Sequence, residues 1–246
     1  MQWFENENFW NNYAPIMYDD GRWEEAPAVA DYTVKIANLN KGDAVLDAGC
    51  GLGRISVELA VLGMNVTGVD IIQSELDAAK EMAEAEGVSI NFVNADLRTF
   101  QTQKKFDCAI SMFTSIGYCD TKDEDIEIFH HIFDSLESGG TFIIESLSRE
   151  IAKLYFTEGE EFERAGMTVK THVEVGGDWE GLLSKWDRIK PDGTKMEHEF
   201  VQRLYGGNEL CDILKSIGFS EAQVFGDFDF SPYDDTARTM VVVAKK

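Results

Sequence analysis

The stretch VLDAGCGLGR, residues 45–54, decides the fold of this chain. A short apolar run leads into three glycines at alternate positions, Gly49, Gly51 and Gly53, and the apolar-periodic segment ISVELAVLG follows. This pattern predicts a strand that turns tightly into a helix. Glycines at such a turn let a ligand approach the main chain closely, because they have no side chain and leave backbone N–H groups accessible. The loop therefore predicts a site for a nucleotide-type ligand.

The spacing of the glycines separates two kinds of nucleotide-binding loop. A dinucleotide fingerprint of the form GxGxxG needs glycine at the sixth position from Gly49, where this chain has Arg54. With Asp47 two residues ahead, the segment has the form D-x-G-x-G-x-G and resembles the first motif of the class I S-adenosylmethionine-dependent methyltransferases. The resemblance covers roughly residues 40–146. It implies that S-adenosylmethionine is the cofactor and that the loop, with Cys50 and Arg54, wraps its methionine part.

Beyond the loop, apolar runs alternate with helical segments up to residue 146. NVTGVD, SINFVNAD, KKFDCAISMF and GGTFIIES have the composition of strands. The segment SELDAAKEMAEAEG is predicted to begin at an N-cap Ser74 and to end at Gly87, and IEIFHHIFDSLESGG is predicted to end at its glycines. This alternation predicts an α/β fold, a Rossmann-like doubly wound sheet of seven strands.

The pattern divides the chain into four parts. We expect an N-terminal helical cap or lid (1–38), the cofactor-binding core (39–146), an insertion after the fifth strand (147–206), and a C-terminal helix with the last two core strands (207–246). The insertion is predicted to be antiparallel and all strand, with a hairpin at Asp192-Gly193. It would form part of the cover over the substrate.

Two acidic residues end predicted strands after the glycine loop. Asp70 ends the second strand, where a carboxylate can accept hydrogen bonds from both hydroxyls of a ribose. Asp96 ends the third strand, where capping of a turn is the alternative. In the resembled family these two positions bind the ribose and the adenine amino group. The resemblance also implies that Ile71 and the main chain of Leu97 contact the adenine.

The fourth strand brings Ser111, Met112 and Phe113 to the carboxyl edge of the sheet, where ligands bind in open α/β folds. These three residues are further cofactor-binding candidates. The segment lacks the (D/N)PPY motif typical of enzymes that methylate amino groups of DNA bases. Its sequence SMFTSIGY resembles small-molecule methyltransferases, including sugar N,N-dimethyltransferases and glycine N-methyltransferase-like enzymes.

The N-terminal segment NYAPIMYDDGRW resembles the lid that such enzymes fold over the cofactor. The resemblance implies that Tyr13 or Tyr18 lies near the sulfonium, and that Arg22 binds the methionine carboxylate. Aromatic faces also attract cations. Tyr18 is therefore both a catalytic and a cofactor-binding candidate, and Tyr13 is a substrate-binding candidate. The alternative is an amphipathic helix that packs on the sheet.

Four further residues are candidates for the acceptor side. A neutral amine can attack the methyl group directly, whereas a hydroxyl usually needs a base within hydrogen-bond reach. His198, in the insertion, is the candidate base and thus a catalytic candidate. Tyr118, Arg203 and Tyr205 are candidate substrate contacts.

Charge and composition limit the classes of molecule that this protein is expected to bind. The chain has 22 Lys and Arg against 45 Asp and Glu, a net charge of −23, which opposes binding to nucleic acid. No long apolar run or signal peptide is apparent, so a cytoplasmic protein without membrane contact is expected. The four cysteines lack CxxC spacing, so no metal site is predicted. We expect a monomer or a homodimer.

Together these features predict an S-adenosylmethionine-dependent methyltransferase that acts on a small molecule. Nitrogen is favoured over oxygen as the acceptor, because of the acidic balance, the lack of an obvious base and the likeness to sugar enzymes. A small-molecule O-methyltransferase and a non-catalytic module with the same fold are the alternatives. A NAD-dependent oxidoreductase is disfavoured by the failed GxGxxG spacing.

Overall fold

Two β-sheets organise the chain in a computed structural model that describes residues 2–246. The larger sheet has seven strands and the smaller has four. In chain order the strands are β1 (Ala44–Ala48), β2 (Asn65–Asp70), β3 (Asn91–Asn94), β4 (Phe106–Ser111), β5 (Leu136–Ser146), β6 (Glu161–Arg164), β7 (Met167–Gly176), β8 (Gly181–Ile189), β9 (Lys195–Arg203), β10 (Glu221–Phe225) and β11 (Met240–Lys245).

Eight α-helices lie within residues 2–246, and some of them cover the two faces of the larger sheet. In chain order they are α1 (Glu7–Met17), α2 (Asp20–Glu24), α3 (Ala26–Ala37), α4 (Arg54–Val61), α5 (Gln73–Ala85), α6 (Lys122–Ser135), α7 (Arg149–Tyr155) and α8 (Gly207–Ile217). One buried cluster joins the sheet to α6 and α8, and a second joins its other face to α3 and α4. Apolar side chains thus point to both faces of the central strands, which explains their continuous apolar runs.

The order of strands in the larger sheet creates the crevice in which ligands bind. The order is β10-β11-β5-β4-β1-β2-β3. Strands β1 to β5 are parallel to one another, and β11 is antiparallel to both β5 and β10. The chain runs outward from β1 in one direction and then from β4 in the other, so the carboxyl ends of β1 and β4 flank a topological switch point. The predicted Rossmann-like doubly wound sheet of seven strands is confirmed.

The smaller sheet follows the fifth strand, as the sequence predicts. Its order is β6-β7-β8-β9, with every pair antiparallel. The β8–β9 hairpin turns at Asp192-Gly193, where Gly193 has a φ of +85°. The prediction that this region is all strand is wrong, because Arg149–Tyr155 forms α7. The side chain of Ser148 accepts a hydrogen bond from the N–H of Ile151 and so caps that helix.

Two helix ends differ from their sequence signals. Helix α5 begins at Gln73 after Ile72, not at an N-cap Ser74, and Ile72 is extended and 1% exposed. Helix α6 ends at Ser135 and not at the glycines, because Leu136 is buried in the core and pairs with Phe106 of β4. In both places burial of an apolar residue overrides the local capping preference.

Within residues 2–246, no helix combines the length and the apolar character that spanning a bilayer requires.

Candidate functional site

A cleft of about 450 Å³ opens at the carboxyl edge of β1, β2 and β4, between the larger sheet, α1 and the smaller sheet. Its volume falls within the range of roughly 300–1,000 Å³ that is usual for small-ligand sites. Most of the predicted cofactor-binding residues line it. They are Tyr18, Arg22, Asp47, Gly49, Cys50, Gly51, Arg54, Asp70, Ile71, Asp96, Leu97, Met112 and Phe113.

The glycine loop forms one wall of the cleft. The N–H groups of Gly49 and Cys50 both donate to the carbonyl oxygen of Val69, at 2.9 and 3.1 Å, which fixes the turn to the end of β2. A Cβ on Gly49 would lie 2.8 Å from Cβ of Ser115, and φ at Gly49 is +82°. Glycine is needed here both for its backbone conformation and for the close approach of the loop after β4.

Two carboxyls lie directly behind this loop. Asp70 accepts hydrogen bonds from the N–H of Gly51 at 2.8 Å and of Ile72 at 2.9 Å. Asp47 is 3% exposed and accepts a hydrogen bond from the hydroxyl of Ser56 at 2.6 Å. Burial raises the pKa of both carboxyls, that of Asp47 to about 6. The loop is thus held by acidic groups whose charges face the ligand space.

Asp96 lies on the adjoining edge of the cleft and is bound to a basic residue. Its carboxylate accepts hydrogen bonds from the main-chain N–H of Arg98 at 2.8 Å and from the guanidinium of the same residue. Burial acts to raise the pKa of Asp96, but the hydrogen bonds from Arg98 outweigh it and hold the pKa below its usual value. Glu5 pairs with the same guanidinium at 2.6 Å and so ties the N-terminal segment to this edge.

Arg54 presents a buried positive charge beside the glycine loop. It is 6% exposed, and its guanidinium lies 4.5 Å from the ring centre of Phe113 and 5.3 Å from that of Tyr18. Within residues 2–246 that group makes one hydrogen bond, from Nη1 to the carbonyl oxygen of Arg22, and no ion pair. Arg22 itself pairs with Glu25 and is half exposed. Arg54 therefore has free donors for an anion.

The loop after β4 has an unusual backbone conformation at the edge of the cleft. Phe113 and Thr114 have φ angles of +54° and +64°, a region that residues other than glycine rarely occupy. Glu145, at the end of β5, holds the conformation by accepting a hydrogen bond from the N–H of Phe113 at 2.7 Å. Strained backbone of this kind concentrates at functional sites. Here it turns the Phe113 ring towards Arg54.

Aromatic rings form the end of the cleft that lies under the smaller sheet. The rings of Trp3 and Tyr118 meet edge to face at 4.7 Å, and those of Trp3 and Phe200 lie 5.0 Å apart. Phe4, Trp10 and Trp186 complete this aromatic wall. The wall offers flat apolar faces that also attract cations.

Several predicted site residues do not line the cleft. Ser111 is 2% exposed within β4, and Gly53 packs against α5, where a Cβ would lie 2.8 Å from Cβ of Ala79. Tyr13 is 2% exposed and donates its hydroxyl hydrogen to the carbonyl oxygen of Trp186 at 3.0 Å. These three residues pack inside the protein and do not line the cleft, so their ligand-binding roles stay predictions.

Three acceptor-side candidates also lie elsewhere. The imidazole of His198 stacks on the ring of Phe9 at 3.8 Å and lines a separate shallow depression on the smaller sheet. Arg203 and Tyr205 both bind the carboxylate of Asp125, the hydroxyl of Tyr205 at 2.8 Å. None of these three side chains lines the cleft, so the roles of His198 as base and of Arg203 and Tyr205 as substrate contacts stay predictions. Of the predicted acceptor contacts, Tyr118 does line the cleft.

The sequence signals missed several residues that line the cleft. Glu75, Arg98 and Asp125 are among them, as are the aromatic residues Trp3, Phe4, Trp10 and Phe200. The charged three lie on helices or loops and have no motif of their own. The density of aromatic residues in the first 10 positions was a usable signal, but it did not say which rings face the ligand.

Among residues 2–246 there is no group of three or more His, Cys, Asp or Glu side chains that could hold a metal ion.

The crevice at the switch point, the glycine loop and the carboxyls at successive strand ends define an α/β protein that binds a nucleoside cofactor. Residues 45–140 match a family described as a methyltransferase domain. A ubiquinone biosynthesis O-methyltransferase of Actinobacillus pleuropneumoniae is 34% identical over 192 residues, which covers 76% of this chain and 71% of that protein. The chain belongs to the S-adenosylmethionine-dependent methyltransferases.

Solved structures agree on the fold. An S-adenosylmethionine-dependent methyltransferase from Clostridium acetobutylicum superposes with a TM-score of 0.80 at 17% identity and covers 97% of both chains. The sugar N-methyltransferase KedS8 from a Streptoalloteichus species superposes with a TM-score of 0.66 at 18% identity, over 90% of this chain and 86% of its own. S-adenosylmethionine is the cofactor, as the glycine loop predicted.

Proposed function

We propose that this enzyme transfers the methyl group of S-adenosylmethionine to the nitrogen of a small-molecule amine that binds against the aromatic wall. The observation that carries the proposal is the contrast between the two ends of the cleft. The glycine loop with Asp70 forms a polar end, and the clustered rings of Trp3, Tyr118 and Phe200 form an aromatic end. A cofactor at the first end leaves the second for the acceptor.

The residues at the polar end fit the parts of the cofactor. In this proposal Asp70 accepts hydrogen bonds from the ribose hydroxyls, and Asp96 and Leu97, which line the same cleft, bind the adenine. Arg54, with free donors and no ion pair within residues 2–246, suits the methionine carboxylate better than Arg22, which pairs with Glu25. When bound, the cofactor supplies an electrophilic methyl group on a sulfonium.

Aromatic walls suit an amine acceptor. Ring faces attract ammonium groups and the polarised C–H groups next to nitrogen, by about 0.5–2 kcal/mol per contact. The protein also carries a net charge of −23, which favours the approach of a cation over that of an anion. Both features favour nitrogen over an acidic or phosphorylated acceptor.

The chemistry of the cleft also favours nitrogen. Within residues 2–246 no histidine lines it, and Asp125, a carboxylate that lines it, is paired with Arg203 and accepts a hydrogen bond from Tyr205. An alcohol needs a base to remove its proton, whereas an amine that binds as its ammonium form can lose the proton to water before the transfer. In-line positioning of nitrogen and methyl group then supplies most of the rate.

An O-methyltransferase is the second candidate. The observation that favours it is the 34% identical relative, named for O-methylation in ubiquinone biosynthesis. The structural neighbour KedS8, a sugar N-methyltransferase, favours nitrogen. Tyr118 is the one predicted acceptor contact in the cleft, and its hydroxyl could serve either chemistry as a hydrogen-bond partner.

A labelled-methyl assay over matched pairs of acceptors tests the proposal. Each pair has one carbon skeleton and carries either an amino or a hydroxyl group, and includes amino sugars, aliphatic amines and aromatic amines. We expect transfer to amines, with a rate that rises with pH until the amine is deprotonated. Transfer to the hydroxyl members alone would establish the second candidate, and tight cofactor binding without transfer to any pair would favour a binding module.

A further inference from the structure

Glu75 is a buried carboxyl group inside the cleft without a full set of partners. It is the third residue of α5, it is 4% exposed and it lines the ligand space. Its Oε1 has no hydrogen-bond partner within residues 2–246. A polar atom left unpaired in a protein interior costs roughly 1–3 kcal/mol, so such an atom is a candidate for binding a ligand.

The carboxyl of Glu75 lies beside Gly51, the residue of the glycine loop that is hydrogen-bonded to Asp70. A Cβ on Gly51 would lie 3.0 Å from Oε2 of Glu75 and 2.9 Å from the hydroxyl oxygen of Tyr18. The N–H of Gly51 donates to Asp70. Glu75 and Asp70 therefore flank the same glycine, one from α5 and one from the end of β2.

The surroundings favour the neutral form of Glu75. Burial, followed by the negative charge of Asp70, raises the pKa of Glu75 to about 8. The other titratable groups that face it are Tyr18 from the end of α1 and Cys50 from the loop, and burial raises the pKa of both, so neither adds a charge at neutral pH. No Lys, Arg or His nitrogen within residues 2–246 lies within 4 Å of it. The N-terminal end of α5 favours an anion, but burial outweighs that effect.

We propose that Glu75 is a further cofactor-binding residue, which as a neutral acid donates a hydrogen bond to a ribose hydroxyl oxygen of the cofactor. The same hydroxyl donates its own hydrogen to Asp70. A hydroxyl is both a donor and an acceptor, so one ionised and one neutral carboxyl together satisfy it. This inference rests on the proposed placement of the ribose at Asp70.

The pairing makes cofactor binding depend on a proton. In the free protein Glu75 loses its proton above pH 8 or so, and the ionised form cannot donate a hydrogen bond. Binding then requires uptake of one proton, so affinity falls by up to tenfold per pH unit. Asp70 and an ionised Glu75 would also repel each other beside the same ligand oxygen.

Calorimetric titration with S-adenosylhomocysteine from pH 6.5 to 9.5 tests the proposal with Glu75→Gln and Glu75→Ala. The glutamine amide is a donor at every pH, so it substitutes for the neutral acid. We expect Glu75→Ala to bind at least about tenfold more weakly at pH 7, and Glu75→Gln to restore most of that loss. Between pH 7.5 and 9.5 the wild type should lose at least about tenfold more affinity than Glu75→Gln.

The matched control is Glu81→Gln, because Glu81 is an exposed carboxyl on the same helix. It should keep the wild-type pH profile, which also contains the titration of the ligand amine. The proposal would be overturned if Glu75→Gln bound S-adenosylhomocysteine as weakly as Glu75→Ala at pH 7. It would also be overturned if the affinity of Glu75→Gln changed with pH in parallel with that of the wild type. If Glu75→Ala does not fold, the comparison of Glu75→Gln with the wild type decides alone. Unchanged binding by Asp70→Asn would instead remove the ribose placement itself, whatever Glu75 does.

Discussion

The carboxylate of Asp70 accepts a hydrogen bond of 2.8 Å from the main-chain N–H of Gly51, across the gap between the ends of β2 and β1. It also accepts one from Ile72 at the start of α5. One side chain therefore fixes the glycine loop and also lines the cleft.

Asp70→Asn should weaken binding of S-adenosylhomocysteine by at least about tenfold, because hydrogen bonds to a charged group contribute about 1.5–3 kcal/mol each. The asparagine amide also has an N–H donor where the carboxylate accepted hydrogen bonds from the N–H groups of Gly51 and Ile72. Calorimetric titration measures the loss. Asp77→Asn, an exposed carboxylate on α5, serves as the control and should bind normally. Equal affinities for Asp70→Asn and the wild type would mean that the ribose lies elsewhere.

Arg54 should recognise the amino-acid part of the cofactor. Arg54→Met is expected to weaken S-adenosylhomocysteine binding by about 10–100-fold, since a charge-assisted pair with the carboxylate is lost. Binding of 5′-methylthioadenosine, which has no carboxylate, should change by less than about threefold. Arg22→Met should have a smaller effect, because Arg22 is half exposed and already paired with Glu25. A parallel loss for both ligands would show that Arg54 supports the fold and not the carboxylate.

Asp125 should be important for stability. It is 1% exposed and accepts hydrogen bonds from Arg203 and Tyr205, which link α6 to the end of the smaller sheet. Asp125→Ala leaves a partly buried guanidinium and a buried hydroxyl without their acceptor, at a cost of about 3–5 kcal/mol. Urea denaturation measures it. Asp123→Ala on the exposed side of the same helix should cost less than about 0.5 kcal/mol. A similar small cost at Asp125 would contradict this assignment.

The sequence predicts the sheet and the polar end of the cleft well, because both depend on local patterns. Apolar runs, glycines and acids at strand ends occur at fixed intervals, and the parallel strands bring them to one edge. The sequence does not predict which side of the insertion faces the cleft. In β9, Phe200 and Gln202 line the cleft, as alternation along a strand predicts once one of them is placed. His198 has the same parity but is covered by Phe9 of α1.

Glu75 shows a second limit of sequence reasoning. A glutamate in the first turn of an amphipathic helix is typical of a solvated helix start. Its burial depends on Tyr18, which reaches Gly51 from the end of α1, so the environment of Glu75 is set by a residue 57 positions away. No local pattern encodes that contact. The same is true of Arg98, whose partners Glu5 and Asp96 come from two different segments.

Asp47 should lower the stability of the fold above pH 6. Burial raises its pKa to about 6, whereas the unfolded chain has an ordinary value near 3.9. A folded-state pKa above the unfolded one means that the folded form binds the proton more tightly. The contribution of Asp47 to stability is therefore neutral below about pH 4 and unfavourable above about pH 6, with an upper size of about 3 kcal/mol.

Asp47→Asn removes this penalty and can still accept the hydrogen bond from Ser56. The variant should be more stable than the wild type at pH 7.5, by about 1–2 kcal/mol, and equal to it near pH 4. Urea denaturation at the two pH values gives the comparison. It should also bind S-adenosylhomocysteine more weakly, as expected where a charge kept for function destabilises the fold. A constant difference between the two proteins at both pH values would show that Asp47 does not titrate in this range.

The aromatic wall should determine acceptor affinity independently of the cofactor. Trp3 contacts both Tyr118 and Phe200 in that wall, so Trp3→Ala removes its central ring. For the best amine in the labelled-methyl assay, we expect KM to rise by about tenfold or more, because a ring face contributes about 0.5–2 kcal/mol to a cation in addition to the apolar area lost. Trp3→Phe should restore most of the affinity.

S-adenosylhomocysteine binding separates this effect from general damage. Trp3→Ala should bind it within about threefold of the wild type, because Trp3 belongs to the acceptor end and not to the glycine loop. Trp179→Ala is the matched control, since Trp179 packs on Phe156 at 5.2 Å and does not line the cleft. It should leave acceptor KM unchanged. If Trp3→Ala instead lost cofactor affinity while KM for the amine stayed constant, the acceptor would have to bind away from the aromatic wall, and the preference for amines would lose its structural basis.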